Sequence, residues 1–98
     1  MVNKFPADLT DPDLLKEVGG RLRALRKAQG LTLEDVASRT GLDRGTVSRA
    51  EHGDNPTMLT VLRLLRTYGR LSALSSFIPE AEVSPMELIR QNRTAADG

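Results

Sequence analysis

Between Leu31 and Gly53 the chain reads LTLEDVASRTGLDRGTVSRAEHG, and the interruption Thr40-Gly41-Leu42-Asp43 within it limits what the whole chain can become. Gly41 supplies the left-handed backbone that ends a helix, and Asp43, two residues later, can accept amide hydrogens at the start of another. Upstream, Thr32 and Asp35 have the spacing of a capping box, and Leu33, Val36 and Ala37 follow on one helical face. Downstream, Leu42 precedes the Asp43 cap and Val47 sits at the fourth helical position, the spacing of a hydrophobic staple. The stretch therefore reads as two short helices joined by a tight turn, their axes held at a set angle.

The second of these helices divides its residues unevenly. Val47 and Ala50 are its apolar positions, which leaves Arg44, Gly45, Thr46, Ser48 and Arg49 facing outward. A helix that enters the DNA major groove needs slim residues where backbone meets duplex and forked donors where guanine presents O6 and N7. This helix has both. Arg44 and Arg49 are the candidate base readers, Thr46 and Ser48 suit methyl groups, bases or phosphates, and Gly45 lets the helix approach closely.

The segment resembles the helix-turn-helix of phage-repressor-like regulators, the Cro/C1 or XRE family, over roughly Val18 to Gly69. The matching residues are Gly19, Arg21, Leu22, Arg23, Leu25 and Arg26 in the leading helix, Ala37 and Gly41 around the turn, Glu51 and Gly53 closing the recognition helix, and Asn55-Pro56-Thr57 after it. The resemblance implies a lambda-repressor-like fold and a structural ion pair between Arg26 and Glu51. One departure stands out: relatives often carry a glutamine where this chain has Leu33, and that side chain is similar to a phosphate anchor. Here the contact would fall to backbone amides around Leu33 or to Thr32. Asn55, Thr57 and Thr60 are further phosphate candidates, because a helix start with free amides is a ready anion site. His52, at the end of the recognition helix, is either a plain surface side chain or another phosphate contact.

Net charge is only +1, yet its distribution follows the motif. Residues 1–17 hold two lysines against four acids, a net of −2, and residues 71–98 hold two arginines against four acids, again −2. Between Val18 and Arg70 ten basic residues face five acidic ones, leaving +5, the footprint expected of a nucleic-acid-binding domain. Basic residues that merely solvate helix faces are the alternative reading of charge alone. With no cysteine and a single histidine, His52, thiolate metal sites are excluded and no zinc constellation can be assembled from obvious ligands, and no metal or cofactor is expected. No nucleophile with a base, carboxylate pair or phosphate-cradling glycine loop is evident, so an enzyme is not expected. The apolar runs fall short of a membrane span and MVNKFPADL lacks a signal-peptide core, which predicts a cytoplasmic protein.

In chain order, residues 1–10 read as a flexible arm. A helix-turn-helix domain spans residues 11–78, an all-α compact bundle of about five helices. Asp11 offers the cap and Pro12 the first residue of the first helix, with Leu15, Val18, Leu22 and Leu25 as its apolar stripe to Gly30. Gly19-Gly20 interrupts it at a cost of about 1 kcal/mol each relative to alanine, for which close helix packing is the expected reason. Met58 to Tyr68 is the central core helix, and Leu71 to Ile78 a further short one. Residues 79–93 are a linker and a short C-terminal helix announced by Ser84-Pro85-Met86-Glu87, and residues 94–98 a disordered tail. A helix this short must dock on something, and Leu74, Phe77, Ile78, Met86, Leu88 and Ile89 are the candidate dimer or partner contacts.

These readings converge on a sequence-specific binder of double-stranded DNA that regulates transcription, most simply a homodimeric repressor. Two recognition helices about 34 Å apart would require an inverted-repeat operator. Residues 71–90, LSALSSFIPEAEVSPMELIR, look like the tail of HipB-like antitoxins, which repress their own operon and bind a HipA-like toxin kinase. A restriction-modification or phage controller, or a protein-interaction module on the same fold, is the alternative.

Overall fold

The computed structural model describes residues 5–82, 85–86 and 89–90. They form an all-α architecture of five helices: α1 (Asp11–Ala28), α2 (Leu33–Thr40), α3 (Arg44–Glu51), α4 (Met58–Thr67) and α5 (Leu74–Phe77). Each of the first four begins at a side chain that relieves its unsatisfied amides. The Thr32 and Asp35 side chains close both halves of a capping box on α2, at 3.0 and 2.9 Å. Asp43 accepts the Thr46 amide at 2.8 Å for α3, and Thr57 accepts the Thr60 amide at 3.1 Å for α4. At α1 the cap is Thr10, one residue earlier than the Asp11 expected, and its hydroxyl accepts the Asp13 amide at 3.3 Å. Asp11 and Pro12 are already helical, where an acid and a missing N–H both suit the first turn.

Gly41 turns the chain between α2 and α3 with φ +77°, a value that a side chain would resist. Beyond Gly69 the expected single helix from Leu71 to Ile78 is instead a 3₁₀ turn at Leu71–Ala73 leading into the four-residue α5. No side chain caps either piece, so nothing enforces one continuous α-helix.

The core is Leu22, Val36, Val47, Ala50, Leu64 and Tyr68, with Val18, Leu25, Leu31, Leu33, Leu42 and Leu65 packed around it. One residue at least from each of α1 to α4 enters it. Of the two adjacent glycines in α1, only Gly19 is there for packing: a Cβ would come within 2.6 Å of the Ala50 and Glu51 carbonyl oxygens. Gly20 has open space around it. On the other side of the same junction, a Cβ on Gly53 would lie 2.7 Å from the Leu15 carbonyl carbon. The C-terminal end of α3 is thus pressed onto α1 through two glycines, which sets the direction in which α3 points.

An ion pair crosses the same junction. Arg26 donates from Nε to Glu51 Oε2 at 2.7 Å and from Nη2 to Oε1 at 3.0 Å, while its Nη1 reaches the Leu31 carbonyl at 2.9 Å. Both residues are buried. The Glu51 hydrogen bonds raise the Arg26 pKa against the opposing effect of burial. Nearby, the Tyr68 hydroxyl is buried without a protein partner, and burial pushes its pKa up to about 12. Among the described residues, no helix is long and apolar enough to cross a membrane, and no cluster of side chains could hold a metal.

Candidate nucleic-acid interface

Val47, Ala50 and Glu51 turn inward, and this fixes what α3 shows on its other side: Arg44, Gly45, Thr46, Ser48, Arg49 and His52 are exposed or half-buried. The two arginines are not loose. Arg44 Nε lies 2.8 Å from Glu34 Oε1, in the first turn of α2, with both side chains well exposed. Arg49 folds back along its own helix and donates from Nη2 to the Thr46 hydroxyl at 3.2 Å, while that hydroxyl donates to Asp43 Oδ2 at 3.0 Å. Asp43 therefore caps the helix and, through Thr46, aims Arg49. Gly45 is part of the same arrangement, because a Cβ there would sit 3.0 Å from Arg49 Nη1. The Thr46 amide and hydroxyl hold the Asp43 carboxyl below its ordinary pKa, and Thr32 does the same for Asp35.

His52 closes α3, and its Nδ1 lies 2.7 Å from the Ser48 carbonyl oxygen. A carbonyl only accepts, so Nδ1 carries the proton of that contact and Nε2 is left for solvent or a ligand. Ser48 and His52 share a hollow of about 340 Å³ with Gly20, Arg23 and Leu33. Arg23 is a further candidate contact that the sequence reading does not single out. Its three-residue spacing from Arg26 along α1 was the available signal, since that spacing puts both on one side of the helix. Glu34 was missed as well, and nothing local in the sequence announces its pairing with Arg44.

The phosphate candidates separate by burial. Thr32 and Thr57 are exposed at the starts of α2 and α4, and Asn55 is exposed with φ +43°. Leu33 packs its side chain against the core, so any anion contact there belongs to its amide, which has no intrahelical acceptor. Thr60 differs from these. It is 6% exposed, and its hydroxyl accepts a 3.0 Å hydrogen bond from Thr57, so it supports the α4 cap from inside. Away from this face, Phe77, Ile78, Met86 and Ile89 are exposed and Leu74 is half-buried, while Leu88 lies outside the described residues.

A capped helix, a glycine turn and a second helix whose outer face combines arginines with small residues define a helix-turn-helix domain. Residues 22–74 match the Helix-turn-helix family of XRE/Cro-C1-like proteins, more than half of the chain, and the chain belongs to that family. It is 38% identical over 58 residues to an uncharacterized HTH-type transcriptional regulator, y4dJ, of Sinorhizobium fredii (strain NBRC 101917 / NGR234), a match covering 58% of this chain and 75% of that protein.

Proposed function

We propose that this protein is a sequence-specific, double-stranded-DNA-binding transcriptional regulator that acts as a homodimeric repressor on an inverted-repeat operator. The observation that carries the reading is the outer face of α3, where Arg44 and Arg49 are each held by an acid or hydroxyl partner and flank the slim Gly45. An arginine held this way reaches guanine O6 and N7 with little left to order on binding. Arg23, His52 and the amides at the starts of α2 and α4 then bear on the sugar-phosphate backbone, which positions the reading helix without carrying sequence information. The relative's description as an HTH-type transcriptional regulator supports the same class.

The test is an anisotropy titration of duplexes from upstream of the protein's own gene against scrambled duplexes, at several salt concentrations. Preference by roughly three decades or more, with affinity falling steeply as salt rises, is the expected result. Equal, weak binding to every duplex would overturn it.

A narrower reading, a HipB-like antitoxin bound to a HipA-like toxin kinase, is favoured by the exposed apolar residues Met86 and Ile89 beyond the domain. Co-expression with a kinase encoded beside the gene, followed by mass measurement of the purified complex, tests it. Two separate peaks would refute it.

A further inference from the structure

An apolar groove of about 700 Å³, lined by no residue of α3, runs between α1, α4 and α5. Val18 and Leu25, Met58 and Val61, and Leu74 and Phe77 supply its walls in pairs. Arg21 and Arg70 are exposed where they line it. Arg21 is committed, pairing with Glu17 at 3.1 Å and lying 4.3 Å above the Phe5 ring, whereas Arg70 makes no ion pair among the described residues. The groove is open to solvent: Met58 is 51% exposed and Phe77 59%. An apolar surface of this kind marks a contact site, and its basic lining narrows the occupant to something apolar with acidic flanks.

The chain carries such an occupant. Past Phe77 the exposed Glu80 and Glu82 are followed by two exposed apolar residues with helical backbone, Met86 and Ile89. Their exposures are 62% and 48%, so this segment does not fill the groove of its own domain while the groove itself stands open. We propose that the occupant is the C-terminal segment of a second copy of this chain: Met86 and Ile89 of each subunit enter the groove of the other, and Glu80 and Glu82 approach Arg70. The exchange is reciprocal, as two-fold symmetry demands, so one dimer closes two grooves and covers two apolar segments. The proposal rests on the homodimer reading above and specifies how that dimer is built. It also leaves α3 free on both subunits.

Sedimentation of the full chain is the test. Wild type should run at about twice 10.7 kDa. A segment variant, Met86→Asp with Ile89→Asp, and a groove variant, Met58→Asp with Phe77→Asp, change exposed residues only, so each should keep its helical circular dichroism and run as a monomer. An equimolar mixture of the two keeps one of the two contacts, between the groove of one and the segment of the other, and should form dimer at a higher protein concentration than wild type needs. Packing of groove against groove would leave the segment variant dimeric, and packing of segment against segment would leave the groove variant dimeric. Either result overturns the proposal, as does a monomeric wild type. A second readout needs no disruption. Since the chain has no cysteine, Met58→Cys in one sample and Ile89→Cys in another should give a disulfide-linked pair on mixing and oxidation, and neither alone should. Absence of that cross-link would likewise overturn it. Wild-type dimer should bind the inverted repeat roughly a hundredfold more tightly than the segment variant does, with half-site affinity unchanged. If the dimer persists in both variants and still prefers the repeat, the homodimer reading stands and only the exchange fails.

Discussion

The Glu51 side chain is 4% exposed and pairs with Arg26, so its removal strands the Arg26 guanidinium in a site that water barely reaches. Breaking a buried pair from one side costs roughly 3–5 kcal/mol, a large share of the stability of a domain this size. Glu51→Ala should therefore lower Tm by roughly 10 °C or more, read by circular dichroism, and an unchanged Tm would refute a structural role for the pair. Tyr68 makes the opposite prediction from an equally buried position. Its hydroxyl has no protein partner, and an unsatisfied buried donor costs stability, so Tyr68→Phe should leave Tm unchanged or raise it. A marked fall in Tm would mean that the hydroxyl is hydrogen-bonded in solution.

At the scale of the helices, the short α2 and α3 depend on their caps, because eight residues are too few to hold a helix by propensity alone. The Thr32 amide and hydroxyl lower the Asp35 pKa, and the Thr46 amide and hydroxyl lower that of Asp43. A carboxyl with a depressed folded-state pKa contributes its stability above the ordinary carboxylate value and loses it as the pH falls through the depressed one. Thermal melts should thus show a fall in Tm below about pH 4. Asp35→Asn with Asp43→Asn keeps an acceptor oxygen at each cap but removes the titration, so the Tm of that variant should fall less on acidification. An identical acid limb in both proteins would exclude the caps as its source. These caps, the Gly41 turn and the order of helices were legible in the sequence because each depends on residues within four positions of one another. Where α1 begins was not, since Thr10 and Asp11 are both competent caps and only the observed backbone chooses between them. Gly19 and Gly20 are alike as letters and differ only because α3 passes over one. The inward turn of Thr60 and the pairing of Glu34 with Arg44 depend likewise on where other elements lie.

For the whole molecule, a net charge of +1 hides a basic DNA-facing domain between acidic ends, and affinity should follow the face and not the total. Contacts through helix amides release few counterions because they carry no formal charge, so the salt dependence belongs to the arginines. Arg23, beside Ser48 and His52, is proposed to meet the backbone, and Arg49, on the outer face of α3, to read bases. The two should separate in one experiment. Arg23→Ala should weaken binding to operator and scrambled duplex alike and reduce the slope of log affinity against log salt by about one for each subunit bound. Arg49→Ala should cost about 1–3 kcal/mol on the operator and much less on scrambled DNA, collapsing the preference between them. Anisotropy titrations at a series of salt concentrations read both quantities. If Arg23→Ala erased the sequence preference and left the slope intact, the hollow between α1 and α3 would face base edges, and the docking of α3 would have to be rotated to bring α1 into the groove.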